Sequence, residues 1–219
     1  MELLYPGNFY HIYNHANGFE NLFRENENYL FFLKKYQEYI SPVANTYAYA
    51  LMPNHFHLLI KTHDADQLIR NIPEGYKSTG KKYKSSQEVK AIEDHNLYFI
   101  SQQFSNLFNS YTKSFNKVYS RRGSLFNHPY KRIIISDGFY FTKLIRYIHF
   151  NPVKHNFVSS IEDWDYISYH ELISDKDTFL QRKSVINWFG GLQEFINFHN
   201  IINDHSLKYD MNDMNDMNG

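Results

Sequence analysis

His55-Phe56-His57 carries the most specific local chemistry in the sequence. Residues two apart on an extended strand point to one face. Both imidazoles can therefore reach one ion, while Phe56, Leu58 and Ile60 alternate onto the other face as core. The site face is expected to be the one that the core does not claim. Taken alone, a His-x-His pair reads equally well as two ordinary strand histidines. A metal needs further ligands, and a reaction needs a nucleophile beside it. Tyr147 and Asn151 supply a matching polar pair. Four residues apart on a helix, they lie one above the other, with Lys143 one turn earlier. Their face borders the apolar stripe of Leu144 and Ile148, which leaves the Tyr147 hydroxyl at the edge of the core. Without the histidines, the same two residues read as a core tyrosine and a C-terminal cap. Tyr111, flanked by Lys113 and Lys117, is the other candidate ring, but it falls within the stripe Phe104, Leu107, Phe108 and Phe115, and burial is its better reading.

The composition narrows the chemistry further. There is no cysteine among the 219 residues, which excludes disulfides, thiolate ligands and a cysteine nucleophile. Any metal must then rest on imidazole, carboxylate or amide groups. Aromatic residues make up 18% of the chain, which suits base stacking as well as an aromatic core. The formal net charge is zero, but the charge is unevenly spread. Between residues 76 and 135, eleven Lys and Arg face only Glu88, Glu93 and Asp94. Lys77 to Lys90 reads as a solvated loop. Residues 95 to 135 carry basic residues among Phe, Tyr and Asn with no acid, a pattern that favours phosphate contact, with Arg121, Arg122, Lys131 and Arg132 the expected contacts. No signal peptide or membrane-length apolar run is visible, so a soluble cytoplasmic protein is expected.

The elements that must position these residues are legible as a strand-and-helix alternation. Phe9 to Asn14 reads as a first strand, and Asn28 to Ile40 as a helix with a buried stripe at Tyr29, Phe32, Leu33, Tyr36 and Ile40. Thr46 to Met52 and His55 to Lys61 form a hairpin around Pro53-Asn54. A polar insertion is expected over residues 73–95, then a helix from Tyr98 to Tyr119 and a strand from Tyr130 to Ile135. Ser136-Asp137 can cap a helix carrying Phe141, Leu144, Ile145 and Ile148, which Pro152 is expected to end. Val185 to His199 is weakly helical, and Asp210-Met-Asn, repeated three times, marks a disordered tail over 201–219. The result is one α+β domain over residues 1–200, with a mostly antiparallel sheet packed with α-helices.

Met52-Pro-Asn-His-Phe-His-Leu-Leu59, followed much later by Tyr147-Ile-His-Phe-Asn-Pro-Val-Lys154, resembles the signature of the REP-associated tyrosine transposases, relatives of the single-tyrosine HUH transposases. Arg122-Gly-Ser-Leu-Phe126 and Trp164-Asp-Tyr-Ile-Ser-Tyr169 sit in the expected order, and the similarity runs from Tyr5 to Asn200. The resemblance implies a ferredoxin-like HUH core. It further implies that His55, His57 and Asn151 hold a divalent metal, Mg²⁺ or Mn²⁺, and that Tyr147 is the nucleophile. Such an enzyme cuts single-stranded DNA at or beside a hairpin, forming a 5′-phosphotyrosine link and a free 3′-hydroxyl. Two other classes stay open: a domesticated, non-catalytic nucleic-acid-binding protein, and a zinc hydrolase built on the two histidines. Whether the chain acts as a monomer or a homodimer is open in the sequence.

Overall fold

The computed structural model describes residues 3–73, 88–136 and 140–201, with side chains from residue 96 onward in the second segment. The elements in chain order are β1 (Phe9–His15), α1 (Asn26–Ile40), β2 (Ala44–Met52), β3 (His55–Thr62), α2 (Ala65–Asn71), α3 (Glu88–Val118), β4 (Lys131–Ile135), α4 (Tyr140–Lys154), α5 (Tyr169–Ile173), α6 (Arg182–Trp188) and α7 (Leu192–Asn200). A 3-10 turn, Ile161–Asp163, follows α4.

The four strands form one sheet in the order β2-β3-β1-β4, and each neighbouring pair is antiparallel. β3 lies between β1 and β2, and β1 lies between β3 and β4, so two split β-α-β units interlock. This is the ferredoxin-like β-α-β-β-α-β arrangement, the α+β fold expected from the sequence.

Alternation along the strands decides what each face meets. Phe56 of β3 projects toward α1 and α3, with its ring 5.5 Å from Phe32 and 6.0 Å from Phe108. The opposite face carries His55 and His57 and is covered by α4, which packs on β2 and β3. The core therefore claims both faces. His55 and His57 are only 2% and 5% exposed, where the strand pattern alone left their face open.

The C-terminal part closes the free edge of β2. Isolated bridges join Thr46 to Leu180 and Ala50 to Ile167, and the Gln181 N–H donates to Thr46 O at 2.8 Å. These contacts occupy backbone groups that an edge strand would otherwise expose.

Three boundaries differ from the sequence reading. The long helix α3 begins at Glu88, inside the segment read as a polar insertion, and residues 74–87 of that segment lie outside the described residues, as do residues 202–219 of the tail. Pro152 does not end α4 but sits inside its last turn. There the His155 N–H still reaches Asn151 O at 3.0 Å and the Phe157 N–H reaches Pro152 O at 2.9 Å, so the turn closes around the one missing donor. The single helix expected over Val185 to His199 is two, α6 and α7, parted by Gly190 and Gly191 at φ 86° and 135°, angles that side chains resist. Of the expected Ser136-Asp137 cap, Asp137 lies outside the described residues, and α4 begins at Tyr140.

Candidate active site

β3 supplies the two histidines, and register places a second row beside them. Tyr13 of β1 pairs with His57, and His15 pairs with His55, so His11, Tyr13 and His15 share the histidine face. The rings are in contact: His15 stacks on His55 with centroids 4.7 Å apart, and Tyr13 stacks on His57 at 5.5 Å.

α4 runs across this face in the opposite sense to β3. Tyr147 meets the His57 ring edge-on at 5.6 Å, and His155, just past the end of the helix, meets His55 at 4.8 Å. Asn151 falls midway between them on the same helical face and is fully buried. His55, His57, Tyr147 and Asn151 are thus brought to the same side of the sheet.

The hydrogen bonds leave two polar atoms over. His55 Nδ1 lies 2.7 Å from Asn54 Oδ1, and His57 Nδ1 lies 2.9 Å from His11 Nε2. Asn151 donates from Nδ2 to Tyr147 O at 2.8 Å. His55 Nε2 and Asn151 Oδ1 are buried with no hydrogen-bond partner. An unmatched buried polar atom costs about 1–3 kcal/mol, so two on facing elements mark a place where a ligand would restore what folding removed. Among the described residues, no three His, Asp or Glu side chains are grouped to hold a metal, so any ion held here would need a further donor such as the Asn151 amide oxygen.

The electrostatics favour neutral imidazoles. Burial pulls the His55 and His11 pKa values down to about 3, and His15, His155 and Lys154 push His55 in the same direction. His57 lies well below its ordinary value, chiefly through burial and then through His11 and His55. A neutral imidazole is the form that binds a metal. Burial raises the Tyr147 phenol above its usual value, and Asn151 offsets part of that rise. The Lys154 ammonium stands 5.2 Å from the Tyr147 ring centroid.

Tyr111 occupies the place its stripe implied. It is 1% exposed, and its hydroxyl donates to Leu22 O at 2.5 Å on the far side of the sheet. The four basic residues separate. Arg121 is engaged by Asn116 Oδ1 at 3.0 Å, Ser124 O at 2.8 Å and Glu20 at 3.4 Å, and Arg122 is exposed. Lys131 pairs with Tyr13 and shares the histidine face, whereas Arg132 pairs with Ile12 on the opposite face, its guanidinium 4.4 Å from the Tyr130 ring centroid.

Sequence reasoning passed over His11, Tyr13, His15, Asn54 and His155. The signal for His11 and Tyr13 was present, since both fall on odd positions of the strand read over Phe9 to Asn14, and His15 continues that row one residue beyond it. Nothing local indicated that β1 would pair with β3.

No family model matches the chain. A Haemophilus influenzae protein named "Putative REP-associated tyrosine transposase" is 25% identical over 127 residues, covering 57% of this chain and 58% of that protein. The chain is similar to the REP-associated tyrosine transposases. A solved structure, described as the REP-associated tyrosine transposase bound to a REP hairpin, matches with a TM-score of 0.50 at 16% identity, over 80% of this chain and 84% of that one. It supports a shared fold with those transposases, while the chain spans 58% of the length of the curated relative.

Proposed function

We propose that this chain is a metal-dependent transposase-like enzyme that cuts and rejoins single-stranded DNA at or beside hairpins, with Tyr147 as nucleophile. The observation that carries this reading is the pair of buried, unpartnered atoms, His55 Nε2 and Asn151 Oδ1, on elements that also hold Tyr147 against His57. The names of the similar proteins support it, one of them being a transposase bound to a REP hairpin.

His55, His57 and Asn151 are the residues that would hold the ion. Two neutral imidazoles and an amide oxygen would suit Mg²⁺ or Mn²⁺, and they would also accept Zn²⁺. A divalent cation held there would supply positive charge at the scissile phosphate. The Tyr147 oxygen attacks phosphorus and loses its proton, the bond from phosphorus to the 3′-oxygen breaks, and that oxygen takes up a proton. The products are a 5′-phosphotyrosine and a 3′-hydroxyl. The covalent link keeps the phosphodiester energy for rejoining, which hydrolysis would discard. Burial raises the phenol above its already high ordinary value, so Tyr147 is protonated at neutral pH and gives up that proton as it attacks.

The test is incubation with hairpin-containing single-stranded DNA and Mg²⁺ or Mn²⁺, followed by a denaturing gel. A protein–DNA band that survives denaturation and requires metal is the expected result. Tight binding with no such band across hairpin substrates would favour a non-catalytic binder.

A further inference from the structure

We infer that His11 and Asn54 are positioning residues that set the tautomers of His57 and His55, so that both imidazoles present a bare Nε2 on the α4 face. The inference deepens the proposed metal site and rests on that reading. A neutral imidazole has one N–H and one lone pair, and which nitrogen carries the proton is decided by the partner of the other. Asn54 Oδ1 can only accept, so the 2.7 Å contact requires the proton on His55 Nδ1. That leaves His55 Nε2 as the buried lone pair without a partner. His11 Nε2 stands 2.9 Å from His57 Nδ1, and when it accepts, the His57 proton is likewise on Nδ1 and Nε2 is bare. The opposite assignment, with His11 donating, would put the His57 proton on Nε2 and close that nitrogen to any ion.

The placement of the two partners differs in a useful way. His11 is 4% exposed, lies on β1 next to β3, and meets Tyr147 edge-on at 6.0 Å, so one ring borders both the proposed ligand and the proposed nucleophile. Asn54 is exposed on the turn between β2 and β3, where a substitution disturbs little packing. Hydrogen bonds of this kind to ligating histidines are worth about 10–100-fold in metal affinity.

The test combines two readouts that need no DNA. Long-range proton–nitrogen NMR of the ¹⁵N-labelled chain reports which imidazole nitrogen is protonated, and titration with Mn²⁺ alone reports affinity. In the wild-type chain, His55 and His57 should both be protonated at Nδ1. His11→Phe keeps a ring but accepts nothing. It should shift His57 toward the Nε2-protonated form and weaken Mn²⁺ binding about 10–100-fold, while His11→Gln, whose carbonyl can accept, should recover most of both. Asn54→Ala should do the same to His55, and it carries the test if His11→Phe fails to fold. Wild-type His57 protonated at Nε2, Mn²⁺ affinity unchanged in His11→Phe and Asn54→Ala, or no Mn²⁺ binding by the wild-type chain would each overturn the inference. A covalent DNA adduct alongside any of these would leave the proposed reaction standing. The inferred tautomers with no adduct on any substrate would remove the reaction and leave the inference.

Discussion

His149 of α4 and His199 of α7 meet ring to ring, Nδ1 to Nε2 at 2.9 Å, with both side chains buried. The other nitrogen of His149 reaches Ser168 Oγ at 2.7 Å, and His199 Nδ1 reaches Phe195 O at 2.8 Å. Arg146 adds bonds to the carbonyls of Phe198 and Ile201 at 3.1 and 2.7 Å, so contacts on both sides of Tyr147 in sequence anchor its helix to α7. His199→Ala strips His149 of a partner and opens a cavity. Its stability in urea should fall by about 1–3 kcal/mol, and an unchanged midpoint would mean that α7 does not hold α4.

Acid should destabilise the metal-free chain through its buried histidines. The pKa of His199 falls to about 4 and those of His11 and His55 to about 3, mainly through burial, and His57 and His149 are lowered in the same direction. A group whose folded pKa is depressed binds protons first in the unfolded chain. Stability is therefore whole above the unfolded value of about 6.5 and falls as the pH drops from there toward the folded values. Each such histidine adds a slope of up to about 1.4 kcal/mol per pH unit. Urea midpoints measured from pH 7.5 to 5 should decline, less steeply in a folded His199→Gln variant; a flat profile would contradict these burial effects.

His55→Ala and His57→Ala should each abolish strand cleavage and leave most hairpin binding, since both rings are assigned to the ion rather than to the strand. Gel shifts and denaturing gels on the same samples separate the two effects. Undiminished cleavage by both variants would end the metal assignment.

Tyr147→Phe removes one oxygen and keeps the ring contacts with His11 and His57. Covalent adduct and cleavage should vanish while the fold survives. Tyr13 provides the sharper control, because burial and the neighbouring Tyr147 phenol both raise its pKa, which places the two hydroxyls in one electrostatic environment. Tyr13→Phe and Tyr111→Phe should retain the adduct. Adduct lost in a folded Tyr13→Phe and kept in Tyr147→Phe would move the nucleophile to β1.

The basic residues should divide by what already engages them. Arg121→Gln should act mainly on thermal stability, since its guanidinium ties the loop at Ser124 to Glu20 and Asn116. Arg122→Gln and Lys131→Gln should each lower the salt dependence of single-strand binding by about 0.7 in the log–log slope. A slope altered only by Arg121→Gln would invert this division.

Much of this arrangement was legible because its signals are local. Period-two alternation at Phe56, Leu58 and Ile60 marks β3, and Pro53-Asn54 marks its turn. Tyr147 and Asn151 share a face because a helix repeats every 3.6 residues. What escaped depends on distant pairing. His11 joins His57 only because β1 lies against β3, and His155 reaches His55 only because α4 crosses the sheet in one sense. The helix in the last turn around Pro152 escaped for a different reason: proline biases the preceding residue without excluding a helix whose other donors are already matched.

The split order of the sheet also bears on when the site can exist during folding. His57 is 46 residues from the His11 atom it touches and sits under a helix that follows β4, so no hairpin or single helix contains the site. Contacts of such sequence separation form only after loop closure has been overcome. The paired imidazoles and Tyr147 therefore come together as the central strands and α4 dock, and their assembly reports completion of the whole fold rather than of any part.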